Sequence, residues 1–281
     1  MRAFLRRLPL GRFRPVEPTV AVLRFDGVIG LRGRRGLTVR RYAAALERAF
    51  SLRGLKAVAI AINSPGGSPA QSALLYRRIR QLAAEHAVPV LAFAEDVAAS
   101  GGYWLALAAD EIYAEETSLV GSIGVITAGF GFVDVLGRLG IERRLHTAGE
   151  NKSLLDPFLP QQPQDVERLK TLQQDLHESF KELVRQRRGA KLKGEDAETF
   201  SGEIFTGKRA LGLGLIDGIG ELRGVLRGLF GEEVRLQPIE PERRRPLWLR
   251  FAWPSRPDVG DIAGDLLARV EERAIWARFG L

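Results

Sequence analysis

Leu55-Lys56-Ala57-Val58-Ala59-Ile60-Ala61-Ile62-Asn63-Ser64-Pro65-Gly66-Gly67 is an apolar run with one lysine, closed by a cluster of chain breakers. An apolar run that does not alternate is expected of a strand buried on both faces, as in sheets covered by helices on each side. The Asn-Ser-Pro-Gly-Gly cluster ends that strand in a loop. Upstream, Thr19–Phe25 alternates apolar residues and predicts another strand. Val39–Ser51 is helical, with Tyr42, Leu46, Ala49 and Phe50 on one face. Downstream, a helix to about His86 leads to a second buried strand, Val88–Ala94. A helix over Ser100–Ala109 and a short strand over Glu111–Ala114 follow.

Strands alternating with helices imply an α/β fold with a mostly parallel sheet, flanking helices and right-handed crossovers. Chemistry in such sheets gathers at the carboxyl ends of the strands. Asn63–Gly67 and Glu95–Gly102 both follow strands, so both loops should open onto one edge. Pro163–Gly189 predicts a long polar helix whose single stripe, Val166, Leu169, Leu172, Leu176, Phe180 and Leu183, packs along one face. Ile204–Gly220 reads as a strand end, a short helix and a Gly-rich turn. Beyond residue 238, four prolines break the pattern around Trp248, Leu249, Phe251 and Trp253, before a C-terminal helix over Ile262–Phe279. The expected organisation is a basic arm over 1–18, a main domain over 19–237 and a Pro/Trp-containing extension over 238–281.

The 281 residues are 45% apolar and 27% charged, an ordinary globular composition. No cysteine is present, which excludes disulfides, zinc-thiolate sites and a thiol nucleophile. Only three histidines are available for imidazole chemistry. The net charge of +8 comes mostly from arginine, and a nucleic-acid partner is not inferred from it. Residues 1–16 carry Arg2, Arg6, Arg7, Arg12 and Arg14 without an acid, and residues 32–41 add five more arginines. These stretches are either solvated charge or a peripheral contact with anionic membrane, each residue near the surface contributing about 1 kcal/mol. No cleavable signal peptide follows the basic start. No apolar stretch approaches the roughly 18 residues of a transmembrane helix. The expectation is a cytoplasmic or peripherally membrane-associated chain.

Ala98-Ala99-Ser100-Gly101-Gly102-Tyr103 places a serine among small residues at a strand-to-helix transition. A nucleophile there is exposed and lies near the unpaired N–H groups of a helix start; the alternative is a plain helix cap. Gly66-Gly67 lets backbone N–H groups face a cleft with no Cβ in the way. Together with Gly101 N–H they form a candidate oxyanion site; the alternative is a tight turn. For a base, His86, His146 and His177 lack a small-residue setting, whereas Lys152 lies in Thr147-Ala148-Gly149-Glu150-Asn151-Lys152-Ser153, at the expected end of a strand. Lysines ordinarily titrate at about 10.4, and desolvation lowers that by up to about 3–5 units, so a buried lysine works as a neutral base; the alternative is a solvated surface charge. Ser122, in Leu119-Val120-Gly121-Ser122-Ile123-Gly124-Val125, is either a hydroxyl orienting the lysine or a buried serine bonded to its own backbone.

Taken in order, Asn-Ser-Pro-Gly-Gly at 63–67, Ala-Ser-Gly-Gly-Tyr at 99–103, Gly-Ser-Ile-Gly-Val at 121–125, Gly-Glu-Asn-Lys-Ser at 149–153 and Phe205–Asp217 resemble the signal peptide peptidase A family. These are the S49 serine peptidases, including SohB-like members, within the ClpP/crotonase superfamily. The resemblance spans roughly residues 19–230. It implies a ClpP/crotonase-like fold, with Ser100 as nucleophile, Lys152 as general base, Ser122 as lysine-orienting hydroxyl and Gly67 as oxyanion donor. Gly101 as second donor follows from geometry. Also implied are unfolded or apolar peptide substrates such as cleaved signal peptides, and a homo-oligomeric ring or dome with the dyad within or between subunits. The chemistry needs no metal or organic cofactor. Two other classes remain open, a crotonase-like acyl-CoA enzyme using the same oxyanion site and a non-enzymatic membrane-surface scaffold. A related alternative is a Ser-His-Asp peptidase like ClpP.

Overall fold

β1 (Thr19–Asp26), β2 (Leu55–Ser64) and β3 (Val90–Ala99) form the centre of the sheet in a computed structural model that describes residues 17–31, 36–241, 270 and 273–280. Around them lie β4 (Glu111–Ala114), β5 (Leu119–Gly121), β6 (Ile204–Thr206), β7 (Gly218–Ile219) and β8 (Arg235–Pro238). The strand order is β6-β5-β3-β2-β1-β8, with β4 joining β3 to β7. All pairings are parallel except that of β5 with β6. This is the mostly parallel, helix-flanked architecture expected of the ClpP/crotonase-like class.

The uninterrupted apolar run of β2 has the predicted cause. Ala57–Ile62 are all fully buried, with Val58, Ile60 and Ile62 in the larger core and Ala57 and Ala59 in a smaller one across the sheet. The larger core is closed by α1 (Val39–Phe50), which buries Tyr42, Ala45, Leu46, Ala49 and Phe50 at helical spacing, and by α2 (Pro69–His86). Thr38 Oγ1 and Ser68 Oγ accept from the third amide beyond them and start these two helices. The smaller core is closed by α8 (Leu222–Phe230) through the fully buried Leu226.

β3 runs to Ala99, beyond the predicted end at Ala94, and this extension carries the chain to Ser100. Ile62 pairs with Ala94 and Ser64 with Ala98, so β3 holds extra residues at a bulge. Asn63 bridges the gap: its Nδ2 donates to Asp96 Oδ2 (3.0 Å) and its Oδ1 accepts from Val97 N (3.2 Å). The following helix, α3 (Gly101–Ala106), is shorter than predicted. The first half of β3 pairs with β4 and its last residues with β5, so β3 splays into two neighbours at the edge where Ser100 lies.

The chain continues through α4 (Val133–Arg138), the long α5 (Pro163–Arg188), α6 (Asp196–Thr199) and α7 (Gly207–Leu213). α5 buries side chains fully only in its C-terminal part. Phe180, Leu183 and Val184 are buried, whereas Leu172 and Leu176 of the same predicted stripe are exposed. Its end is clamped by Arg188, whose side chain is 3% exposed. Arg188 donates to Asp217 (2.7 and 3.1 Å) and to the Gly214 carbonyl (2.8 Å), and Asp217 also accepts from Lys191 and the Ile112 amide. Burial raises the Asp217 carboxyl, but hydrogen bonds from Arg188, Lys191 and Ile112 outweigh it and hold it below its ordinary 3.8.

Arg188→Leu is therefore expected to lower unfolding free energy by about 3 kcal/mol, because it leaves Asp217 short of its buried partner. Urea midpoints at pH 7 measure this. A carboxyl depressed in the folded state contributes stability above its unfolded value and loses it as pH falls through the folded one. The deficit of the variant should thus narrow below pH 3.8; a deficit independent of pH would contradict the clamp.

The basic residues 1–16, the tryptophan-containing stretch 248–253 and most of the predicted C-terminal helix lie outside the described residues, although Val270 and residues 273–277 are helical. Among the described residues, no helix is long and apolar enough to cross a membrane.

Candidate active site

Ser100 joins β3 to α3 with φ 51° and ψ −119°. A non-glycine residue at positive φ costs about 1–3 kcal/mol and persists only when its surroundings hold it. Here Ser100 N donates to Gly121 O (2.8 Å), and Ser100 O accepts from Trp104 N (2.9 Å). The Ser100 side chain makes no capping bond to α3. Its hydroxyl is thus left free at a sharp strand-to-helix turn, and the plain helix-cap alternative does not describe it.

The glycine loop lies against this turn. Gly66 and Gly67 have φ 106° and 136°. The loop is tied to the segment after β1 by Ile29 N to Gly66 O (2.7 Å) and Ser68 N to Ile29 O (2.8 Å). These bonds leave the Gly67 amide without an acceptor. The Gly101 amide, at the first position of α3, has none either. A methyl group on Gly66 would sit 2.7 Å from Ser100 Cβ and 2.9 Å from Gly101 N. One on Gly101 would sit 3.3 Å from Gly67 N. Two unpaired amides therefore converge beside the serine, the arrangement required to stabilise an oxyanion.

Gly66 takes a different part from the donor role expected of it. Its N–H is directed at Ser64 Oγ (3.3 Å), so it contributes closeness rather than a hydrogen bond to a ligand. Gly66→Ala would strain the loop and push it off Ser100. The expected result is a loss of about 10²-fold in any turnover that Ser100 supports, comparable with removing an oxyanion donor. Steady-state kinetics check this, with circular dichroism confirming an unchanged fold.

Ser122 belongs to the same edge. Ala99 pairs with Gly121, so Ser100 and Ser122 are the next residues on neighbouring strands. Ser122 also has a positive φ, 51°, and its amide donates to Glu203 O (2.6 Å). Lys152 makes no hydrogen bond to these residues. It is exposed in a turn, and its ammonium has no hydrogen-bond or ion-pair partner among the described residues. The strand expected before it is absent: residues 141–147 carry no regular structure. β6 already occupies the free edge of β5, so no ladder remains for it there.

The segment around Lys152 is held by its own small cluster. Phe132 stacks on Phe158 (5.5 Å), and Arg143 lies over Phe158 and pairs with Asp156 (2.9 Å). Hydrogen bonds from Arg143 and the Phe158 amide hold the Asp156 carboxyl below its ordinary range. In the segment between Ser122 and Lys152, Ile126, Phe130 and Leu139 are 65%, 82% and 67% exposed.

Sequence reasoning missed two supports of the site. Ile29 grips the glycine loop, and the end of β1 at Asp26-Gly27 was its signal, because that edge gathers the carboxyl ends of the parallel strands β1, β2 and β3. Ser64, inside the breaker cluster, orients Gly66. A cavity of about 690 Å³ lies elsewhere, lined by Arg24, Phe93, Glu95, Glu221 and Leu236 among others, and includes none of the candidate residues. Among the described residues, no cluster of three or more acids and histidines is placed to hold a metal ion.

The model of peptidase family S49 matches residues 83–231, more than half of the chain. A Brucella abortus relative named Na(+)/H(+) antiporter NhaA is 48% identical over 287 residues, covering 99% of this chain but 39% of the relative. The chain thus spans well under half the length of that protein. A putative protease of Synechocystis, slr0021, is 31% identical over 191 residues, covering 66% of this chain and 68% of the relative. The solved 1510-N membrane-bound stomatin-specific protease, in complex with a substrate peptide, superposes with a TM-score of 0.50 at 16% identity, covering 83% of this chain and 97% of that one. At that identity the likeness concerns the fold. The family match and the Synechocystis relative carry further than the fold, and on them this chain belongs to peptidase family S49.

Proposed function

We propose that this chain is a serine endopeptidase in which Ser100 is the nucleophile and Lys152 the general base. The observation that carries the reading is Ser100 itself, held at positive φ with a free hydroxyl beside the unpaired Gly67 and Gly101 amides. Neutral Lys152 Nζ takes the Ser100 proton as Oγ attacks a peptide carbonyl. The two amides hold the oxyanion, and lysinium then protonates the leaving amine. Water, deprotonated by Lys152, attacks the acyl-enzyme and frees Ser100. The Ser122 hydroxyl orients the amine. Substrates are extended peptides of unfolded or apolar character, such as cleaved signal peptides, since folded chains do not present a carbonyl to a recessed serine.

In this reading Lys152 reaches a neighbouring copy's Ser100. Its exposed position, its free ammonium and the uncovered apolar side chains of the segment before it favour that arrangement in a homo-oligomer. Antiport is not carried over from the Brucella relative, because this chain corresponds to 39% of it. Contact of residues 1–16 with anionic membrane rests on their charge alone. A fluorophosphonate probe tests the reading: labelling must map to Ser100, and an unlabelled, catalytically inert wild type would sink it. An acyl-CoA enzyme would polarise a thioester without forming that adduct.

A further inference from the structure

We propose that His177 is a positioning residue that fixes the Ser122 turn; the proposal rests on the peptidase reading above. His177 lies on α5, and its Nε2 is 3.0 Å from the carbonyl oxygen of Ile123, the fully buried residue following Ser122. A carbonyl oxygen only accepts, so Nε2 carries the proton and donates it.

The turn needs such a support. Ser122 is held at φ 51°, a conformation that a side-chain-bearing residue leaves unless restrained. Besides the burial of Ile123 and the pairing of Gly121 with Ala99 and Ile204, the turn is held by backbone bonds: Ser100 N to Gly121 O, Ser122 N to Glu203 O and Gly124 N to Ser122 O. Among the described residues, His177 supplies the one side-chain hydrogen bond to this turn. One helical turn further along α5, Phe180 packs on Trp104 at 4.7 Å, and Trp104 N donates to Ser100 O. The buried end of α5 therefore braces both the Ser100 turn, through Trp104, and the Ser122 turn, through His177. Sequence reasoning set His177 aside as a base, and the geometry gives it another task.

The test compares His177→Leu, which removes the donor, with His177→Gln, whose amide nitrogen reaches a similar point. His177→Leu should lower kcat for peptide hydrolysis about tenfold with KM little changed, as expected when reacting groups are misplaced. His177→Gln should recover most of that loss. Amide hydrogen exchange should quicken over residues 119–125 in His177→Leu while residues 55–64 stay protected, and should return to wild type in His177→Gln. Wild-type kinetics and exchange in His177→Leu would overturn the proposal, as would a glutamine variant no better than leucine. If the wild type neither hydrolyses peptide nor labels at Ser100, the peptidase reading fails, while the exchange contrast still decides whether His177 holds the turn.

Discussion

Ser100→Ala is expected to lower kcat/KM for unfolded peptide by about 10⁴-fold or more and to abolish fluorophosphonate labelling. Removing a nucleophile eliminates the covalent path, and only binding and oxyanion stabilisation remain to accelerate attack by water. The substitution also relieves nothing in the backbone, because alanine meets the same positive φ as serine. Stability should therefore change little, and a melting temperature within a few degrees of wild type would separate lost chemistry from lost fold. Ser100→Gly is the instructive partner. It too lacks a nucleophile, but glycine adopts φ 51° freely, so it should be inactive and slightly more stable. Wild-type turnover by either variant would remove Ser100 from the mechanism.

The parts of the site that were legible in the sequence are those made by short-range chemistry. β2 announced itself because its apolar run is short, rich in β-branched residues and followed at once by Pro65-Gly66-Gly67, which favours a buried strand over a buried helix. Ser100 stood out because its neighbours are too small to cover it. What sequence could not resolve is what each group bonds to. Gly66 and Gly67 look alike on paper, yet Ser64 takes the amide of one and leaves the other free. The stripe on α5 gave the face that packs but not its extent, since periodicity does not say where a neighbour ends. Leu172 and Leu176 keep the period and still face solvent. The strand predicted before Lys152 failed for a related reason: strands need an open edge, and β6, distant in sequence, closes the one beside β5.

Lys152→Ala should be as inactive as Ser100→Ala, and the two variants together should recover activity. A lysine acts as a base only where desolvation disfavours its ammonium form, and an exposed turn in one copy gives no such burial. Docking of that turn against a second copy would supply it, while covering Ile126, Phe130 and Leu139. Co-expressed in equal amounts, the variants form mixed assemblies in which about a quarter of interfaces pair an intact Ser100 with an intact Lys152 from its neighbour. Activity near that fraction of wild type is the expected result. If each dyad lay within one copy, every copy would lack one partner and the mixture would stay inactive. Fluorophosphonate labelling gives an independent reading, because it requires the activated serine: label should appear only on the Lys152→Ala chains, which retain Ser100. Mixed assemblies that form, verified by size, and yet show neither turnover nor label would place the dyad inside a single chain.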